Sequence, residues 1–428
     1  MARAALVPVV ALAGLPVAFA ILRQSHCLSQ GWVGVTPFWR QCTSQLATDY
    51  ASAGLGRGLP AYLAGELPFD APPVSGIVMA TLGSLTPQGS LLAEQRWYLA
   101  LWAVLAVLLV VILVILVADT RGHPDLDPTQ VALAPVLALT VLVAPDLVGV
   151  VLAMAGLRAW SRDRPALAGA LLGVATLAGG YAALVVLAIG LVGWRAGRLG
   201  ETRTLATAYG FAVAGTTAVL LVADRGIVTR PYAAWLATVP ESGSIWSLLG
   251  PLRLEAGPGL LTVLAMLGWV LAIALGVLVV GSAQREPSVA QVALLMVSVV
   301  LVTGKTFTVQ SSLWLVPLVA LAGVPWRVWL TWAAAEATHF VAVWPYLALA
   351  TDPAKGLPAG WYAVFLLGRV VAVAWLGVRV WRELTEPVLT PWAEFAQEAD
   401  LEVPATTGEL SPEGASTDFG GGRAAGYP

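Results

Sequence analysis

Roughly twelve apolar runs, several of them near the length of about 20 residues that spans a bilayer, succeed one another along this chain with only short polar connections. They read at about 3–23, 97–118, 129–145, 146–160, 164–179, 181–195, 204–223, 259–281, 289–303, 309–324, 328–350 and 361–381. So many such runs leave no water-soluble core to build, because each one needs an apolar surrounding. Composition agrees: 58% of residues are hydrophobic and 11% charged, against about a quarter charged in soluble chains. The expected fold is all-α, a polytopic membrane helix bundle of about 12 transmembrane helices. Membrane lipids are therefore partners. Nucleic acid is not, since no basic stripe exists to neutralise a phosphate backbone.

Charge placement orients the bundle. With the N-terminus in the cytoplasm, the short inner connections carry Arg121, Arg158, Arg162, Arg164, Arg195, Arg198, Arg203, Arg285, Arg327, Arg379 and Arg382. That obeys the positive-inside rule, provided segment 72–88 does not span. Both termini then lie inside. Arg3, the apolar run after it and Ala18-Phe19-Ala20 resemble a signal peptide, but Ile21-Leu22 continues the run, and an uncleaved first helix is expected. Residues 1–385 form the transmembrane domain, and 386–428 form a disordered, acidic cytoplasmic tail rich in Pro, Gly, Ser and Thr.

Two polar loops then face outward, 24–96 and 224–258. The first holds both cysteines, Cys27 and Cys42. Outside the cytoplasm such a pair commonly forms a disulfide, and the alternative is two free thiols. A metal site is not expected, because His26 alone cannot complete a coordination shell. The first loop also carries the acids Asp49, Glu66, Asp70 and Glu94. A carboxylate beside the bilayer can act as a general base towards a hydroxyl if partial burial raises its pKa. The plain alternative is a solvated loop acid.

Other polar residues lie at span ends or within spans. Asp146 follows Ala144-Pro145 at a junction of two spans and suits either an acceptor-binding acid or a helix N-cap. Lys305, one of two lysines, lies in the turn from Gly304 to Gln310. A cation there suits a lipid-linked phosphate or snorkels to the interface. Gly304-Lys305-Thr306 ends like a phosphate-binding loop, but the upstream glycines are missing. Gln310 could bind sugar hydroxyls. Glu336 and His339, three apart, share one helix face within a span and either fasten helices or serve function. Arg369 could reach a phosphate or an acid such as Glu336. Arg225, Arg230 and Arg253 accompany Tyr232, Trp235 and Trp246 in or beside the second loop, where aromatics stack on sugars and arginines hold phosphates.

These pieces resemble the bacterial polyprenol-phosphate-mannose-dependent mannosyltransferases, glycosyltransferase family 87 of the GT-C group, diffusely over most of 1–385. The family's first loop reads Cys-Tyr-Ser-Asp-Ile, Leu-Tyr, Arg-Gly-Leu, Pro-Tyr and Glu-Tyr-Pro-Val-Leu-Thr-Gly. The counterparts are Cys42-Thr-Ser-Gln45-Leu, Asp49-Tyr50, Arg57-Gly-Leu59, Ala61-Tyr62 and Asp70-Ala-Pro-Pro-Val-Ser-Gly76. Its Asn-Trp-Asp turn becomes Ala144-Pro-Asp146, its Gly-Ser-Leu-Trp becomes Gly243-Ser-Ile-Trp246, and its Lys-Val-Phe-Ser-Pro-Gln segment becomes Lys305-Thr-Phe-Thr-Val-Gln310. Trp329-Leu-Thr-Trp and Glu336-Ala-Thr-His-Phe340 also resemble the family's closing motifs.

The resemblance implies a bacterial plasma-membrane enzyme with short juxtamembrane helices in its first loop. It would transfer a hexose, mannose in the family, from a polyprenyl-phosphate donor to an envelope glycolipid or glycan, with inversion and without a metal or cofactor. Asp49 or Asp70 would be the base, and Lys305 with Arg369 would hold the phosphate. Gln45, Tyr50, Asp146, Gln310 and Trp246 would meet sugar or acceptor. Two departures stand out. The family's acid in Cys-Tyr-Ser-Asp is Gln45 here, and its Lys-Leu-Tyr-Pro turn is Gly179-Gly180-Tyr181-Ala182. An amide cannot take a proton as a carboxylate does. Either another loop acid replaces it, or the chain is an inactive paralogue that binds or scaffolds lipid-linked glycans. A transporter or flippase would show internal repeats, and none is evident.

Overall fold

A computed structural model describes residues 3–120, 126–254, 256–352 and 356–386. The tail read from 386 onward, apart from Glu386 itself, lies outside the described residues, as does Arg121. Among the described residues every regular element is a helix and no strand occurs.

Four helices are long and apolar enough to cross a membrane: Leu91–Ala118, Leu199–Ala223, Pro258–Ser282 and Ala359–Thr385. The first runs for 28 residues, about 42 Å at 1.5 Å per residue. Ser90 caps it, its hydroxyl accepting the Ala93 N–H at 3.4 Å. Its sequence is apolar all round, which suits a helix flanked by protein on one side and lipid on the other. Trp102, Val110 and Leu113 are buried, while Val104, Leu108 and Ile112 stand exposed. Exposed leucine and valine also line 260–278 and 364–378. Apolar surface on this scale needs a non-aqueous partner.

The other expected spans are shorter. Helices Leu147–Ser161, Pro165–Thr176, Ala182–Arg195 and Val289–Thr303 have 12 to 15 residues. Trp326–Ala348 has 23 but carries Arg327 and Glu336. Proline explains several breaks, because it has no N–H for the carbonyl one turn back. The first run splits at Ala13 into Arg3–Leu12 and Gly14–Arg23, three residues before Pro16. The 129–145 run breaks before Pro135. Segment 72–88 forms helix Pro73–Ser84, about 18 Å long by the same rise. Helix Pro165–Thr176 has the same length, so length does not separate this segment from the shorter expected spans.

Small residues bring backbones together. A Cβ on Gly169 would overlap the Leu205 carbonyl, and one on Gly173 would overlap the Ala212 methyl. Helix Pro165–Thr176 thus lies directly on Leu199–Ala223, the close approach that glycine permits between membrane helices.

The first loop folds onto one end of the bundle as short helices, Ser25–Gln30, Thr36–Trp39, Gln45–Ala53, Gly58–Leu63 and Pro73–Ser84. Cys27 and Cys42 are joined by a disulfide. Turn carbonyls of the bundle anchor the rest. Arg23 Nη2 donates to Leu139 O at 2.9 Å, Ser44 Oγ to Leu142 O at 2.6 Å, and Ser75 Oγ to Ala178 O at 3.2 Å. The second loop begins with helix Arg225–Ala237. Its Arg230 donates to the carbonyls of Gly65 and Leu67 and pairs with Asp224, fastening the two loops together. At the other end of the bundle Asp119 pairs with Arg158 and Arg162, and Arg198 with Asp163 and Glu201. Glu383 lies on helix Ala359–Thr385 and accepts from Gln291 at 3.2 Å.

Candidate functional site

Helix Gln45–Ala53 positions the first group of acids. Ser44 spends its hydroxyl on Leu142 O, and Leu46 N–H bonds Val143 O at 3.2 Å, so the helix start is fixed on the bundle. Gly54 ends it in the left-handed region at φ 68°. The helix buries Leu46, Ala47, Tyr50 and Ala53. Gln45 and Asp49, four apart, share its other face. Burial pushes the Asp49 carboxyl up to about 7, the charge of Asp70 adds to the shift, and a hydrogen bond from Gln45 opposes it. Asp49 is half-buried, while Gln45 and Asp70 are exposed. The structure therefore brings Asp49, Asp70 and Gln45 together.

Tyr50 points away from them. Its hydroxyl donates to Glu94 Oε2 at 3.1 Å, and its ring lies 4.6 Å from that of Tyr98. It braces the loop against helix Leu91–Ala118.

Asp146 occupies the N-cap position of Leu147–Ser161, yet its side chain makes no capping hydrogen bond. Its Oδ1 accepts instead from Trp314 Nε1 at 3.4 Å. Trp314 packs 5.6 Å from Tyr181, and Ser311 lies 2.8 Å from Thr308 through their hydroxyls. A Cβ on Gly149 or Gly179 would collide with the Trp314 ring. Gly179 thus seats an indole. Sequence reasoning gave Trp314 and Tyr181 no role, although both lie within segments that resemble the family's motifs.

Lys305 and Arg369 are buried. Lys305 Nζ donates to Leu236 O at 3.2 Å, Thr238 O at 3.4 Å and Thr262 Oγ1 at 2.8 Å, over the Trp235 ring at 4.5 Å. An ammonium has three N–H groups, so all are engaged. Arg369 Nε donates to Glu336 Oε2, Nη1 to Phe307 O, and Nη2 to Thr308 O and Ser312 Oγ. Glu336 also accepts from Trp332 Nε1 at 3.2 Å. His339 Nε2 lies 3.0 Å from Tyr362 OH, which donates to Ser242 O. Since that hydroxyl donates elsewhere, His339 must be the donor, with its proton on Nε2. Lys305 and Arg369 both hold the 303–312 turn, through separate partners.

Trp246 Nε1 donates to Thr303 O at 2.8 Å, which fixes its ring. Beside it opens a cavity of about 720 Å³, lined by Glu241, Ser242, Trp246, Ser247, Leu254 and Tyr346 among others. Gln310 opens the short helix Gln310–Trp314 and is half-buried. Among the described residues no cluster of three His, Cys, Asp or Glu side chains forms a metal-binding group.

Compared with known proteins, the chain matches no family model and no curated sequence.

Proposed function

We propose that this chain is a membrane glycosyltransferase of the GT-C type that uses a polyprenyl-phosphate hexose donor, with Asp49 as its base. One observation carries this reading: a half-buried carboxylate held near neutrality beside a second acid. A general base works best when its pKa lies near the working pH. The amide at Gln45, in the place of the family's acid, reaches Asp49 one turn along the same face. Asp49 thus serves from almost the same position.

The step is a single displacement. The acceptor O–H gives its proton to Asp49 as its oxygen bonds the anomeric carbon. The bond from that carbon to the phosphate oxygen breaks, and its electron pair leaves with the phosphate. Inversion follows, and electrostatic stabilisation of the leaving phosphate supplies much of the rate. Lys305 and Arg369 have given their N–H groups to protein acceptors. The exposed Arg225 and Arg253 of the second loop are the cations open to the phosphate in this arrangement. The shorter helices complete about 12 crossings, with both termini cytoplasmic and both loops on the extracytoplasmic face of a bacterial plasma membrane.

A second reading has its own support. With Lys305 and Arg369 built into the frame and Gln45 in the acid's place, the chain suits an inactive paralogue that binds lipid-linked glycans. Turnover of a polyprenyl-phosphate mannose donor by the purified chain separates the two. Activity that is lost in Asp49→Asn and recovered in part in Asp49→Glu supports the enzyme. No turnover by the wild-type chain, or full turnover by Asp49→Asn, rejects Asp49 as a base.

A further inference from the structure

The cavity beside Trp246 has a lining unlike that of a phosphate site. Among the described residues no Lys, Arg or His contributes to its wall, and Glu241 is the one charged group there. Partial enclosure keeps that carboxyl above its ordinary pKa. Its volume falls within the range of about 300–1,000 Å³ usual for small-molecule sites. Trp246 and Tyr346 supply aromatic surface, Ser242 and Ser247 polar groups, and Leu254 an apolar margin.

The wall is held rigidly from beneath. Trp246 is pinned to Thr303 O. Tyr346 stacks on Tyr362 with centroids 4.0 Å apart and rings 3° from parallel. Tyr362 in turn holds Ser242 O and meets His339. Ser244 Oγ donates to Gly304 O at 2.7 Å, and Glu241 N–H to Lys305 O at 2.9 Å. Gly243 lies where any side chain would strike Phe307 O and the Arg369 guanidinium. The buried Arg369–Glu336 pair thus supports the cavity floor. Such a second layer is what fixes a binding constellation in place.

We infer that this cavity is a binding site for a neutral hexosyl unit, packed against Trp246 and Tyr346 and hydrogen-bonded by Glu241 and Ser242. A sugar ring offers an apolar face to aromatics and hydroxyl donors to a carboxylate. An anionic headgroup would meet Glu241 with no compensating cation among the described lining residues. A plain hydrocarbon would leave Glu241 facing it unpaired, which is costly. The site deepens the transferase reading as its acceptor-sugar subsite, and it stands as a sugar site if the chain transfers nothing.

Saturation-transfer NMR on the full chain in lipid nanodiscs tests it, with the methyl α-glycosides of mannose, glucose and galactose as probes. At least one is expected to bind. Gly250 borders the cavity and has open space around its Cβ position, with Ser247 O nearest at 3.9 Å. Gly250→Trp should therefore fill the cavity and abolish binding. Ser247→Phe is the second blocking variant should Gly250→Trp fail to fold. Glu241→Gln should weaken binding about tenfold, the loss of a hydrogen bond to a charged acceptor. Three results overturn the site: no glycoside binds, both folded blocking variants bind normally, or inorganic phosphate displaces the sugar competitively. Sugar binding without donor turnover removes the transferase reading alone. Asp49-dependent turnover without cavity binding removes this site alone.

Discussion

Arg369 Nε lies 2.8 Å from Glu336 Oε2, and both side chains are buried. The two residues come from neighbouring helices, Trp326–Ala348 and Ala359–Thr385. The remaining guanidinium groups fix the turn that carries Phe307, Thr308 and Ser312. This pair orders the turn on which both Trp246 and Trp314 depend.

Breaking that pair leaves a charge without its partner. Glu336→Gln should cost about 3–5 kcal/mol of stability. The double variant Glu336→Leu, Arg369→Leu should cost less than the sum of the two single changes. An SDS unfolding titration of the three variants checks this. Additive losses would mean that the pair is not coupled.

Lys305 should behave as a fastener of helix Arg225–Ala237. Lys305→Met should lower stability by about 1–3 kcal/mol, the cost of leaving buried acceptors unpaired. The donor KM should stay within about twofold, well below the tenfold that corresponds to 1.4 kcal/mol. A large rise in donor KM at unchanged stability would return Lys305 to the phosphate.

Asp49 should set a pH profile. A base works ionised, so turnover should climb with pH, reach half its plateau near about 7 and level off above. Asp70→Asn removes a like charge and should move that midpoint down, while Gln45→Leu removes a stabilising hydrogen bond and should move it up. The folded protein binds this proton more tightly than the unfolded chain. Its contribution to stability therefore falls as pH rises from the ordinary carboxylate range to about 7. A profile unmoved in Asp70→Asn would disprove the coupling.

The Cys27–Cys42 disulfide closes the start of the first loop. Replacing both by Ser should lower stability by about 3 kcal/mol in the chain-entropy account. The paired Ser variant and the wild type with reductant should unfold at the same denaturant concentration. A difference between them would place the effect in the substitutions.

Arg230 should act as the clasp between the two loops. Arg230→Ala should speed amide exchange at 64–70 about tenfold, equivalent to about 1.4 kcal/mol. Gly65→Ala should do the same from the other side, since Gly65 has φ +73° and no room for a Cβ against Asp224. Exchange unchanged in both would show that the loops are held elsewhere.

The sequence alone determined that this is a helical chain built for an apolar surrounding. Runs such as 97–118 and 259–281 are long and uncharged enough that no partner need be known. It also marked both cysteines and the loop acids, which residue type and placement between apolar runs suffice to single out. It did not determine how many of the shorter runs cross, since a 12-residue helix such as Pro165–Thr176 has the composition of a span without its length. The tertiary structure decided which charges are free. In sequence Lys305 suited a phosphate or the interface and Arg369 a phosphate or Glu336; their acceptors at Leu236, Thr238, Thr308 and Glu336 are tens of residues away along the chain. Likewise Asp49 stands out from Glu66 because it is partly enclosed and faces Asp70, whereas Glu66 is exposed beside Arg57. Desolvation and long-range pairing depend on what packs nearby in space, and spacing along the chain does not encode that.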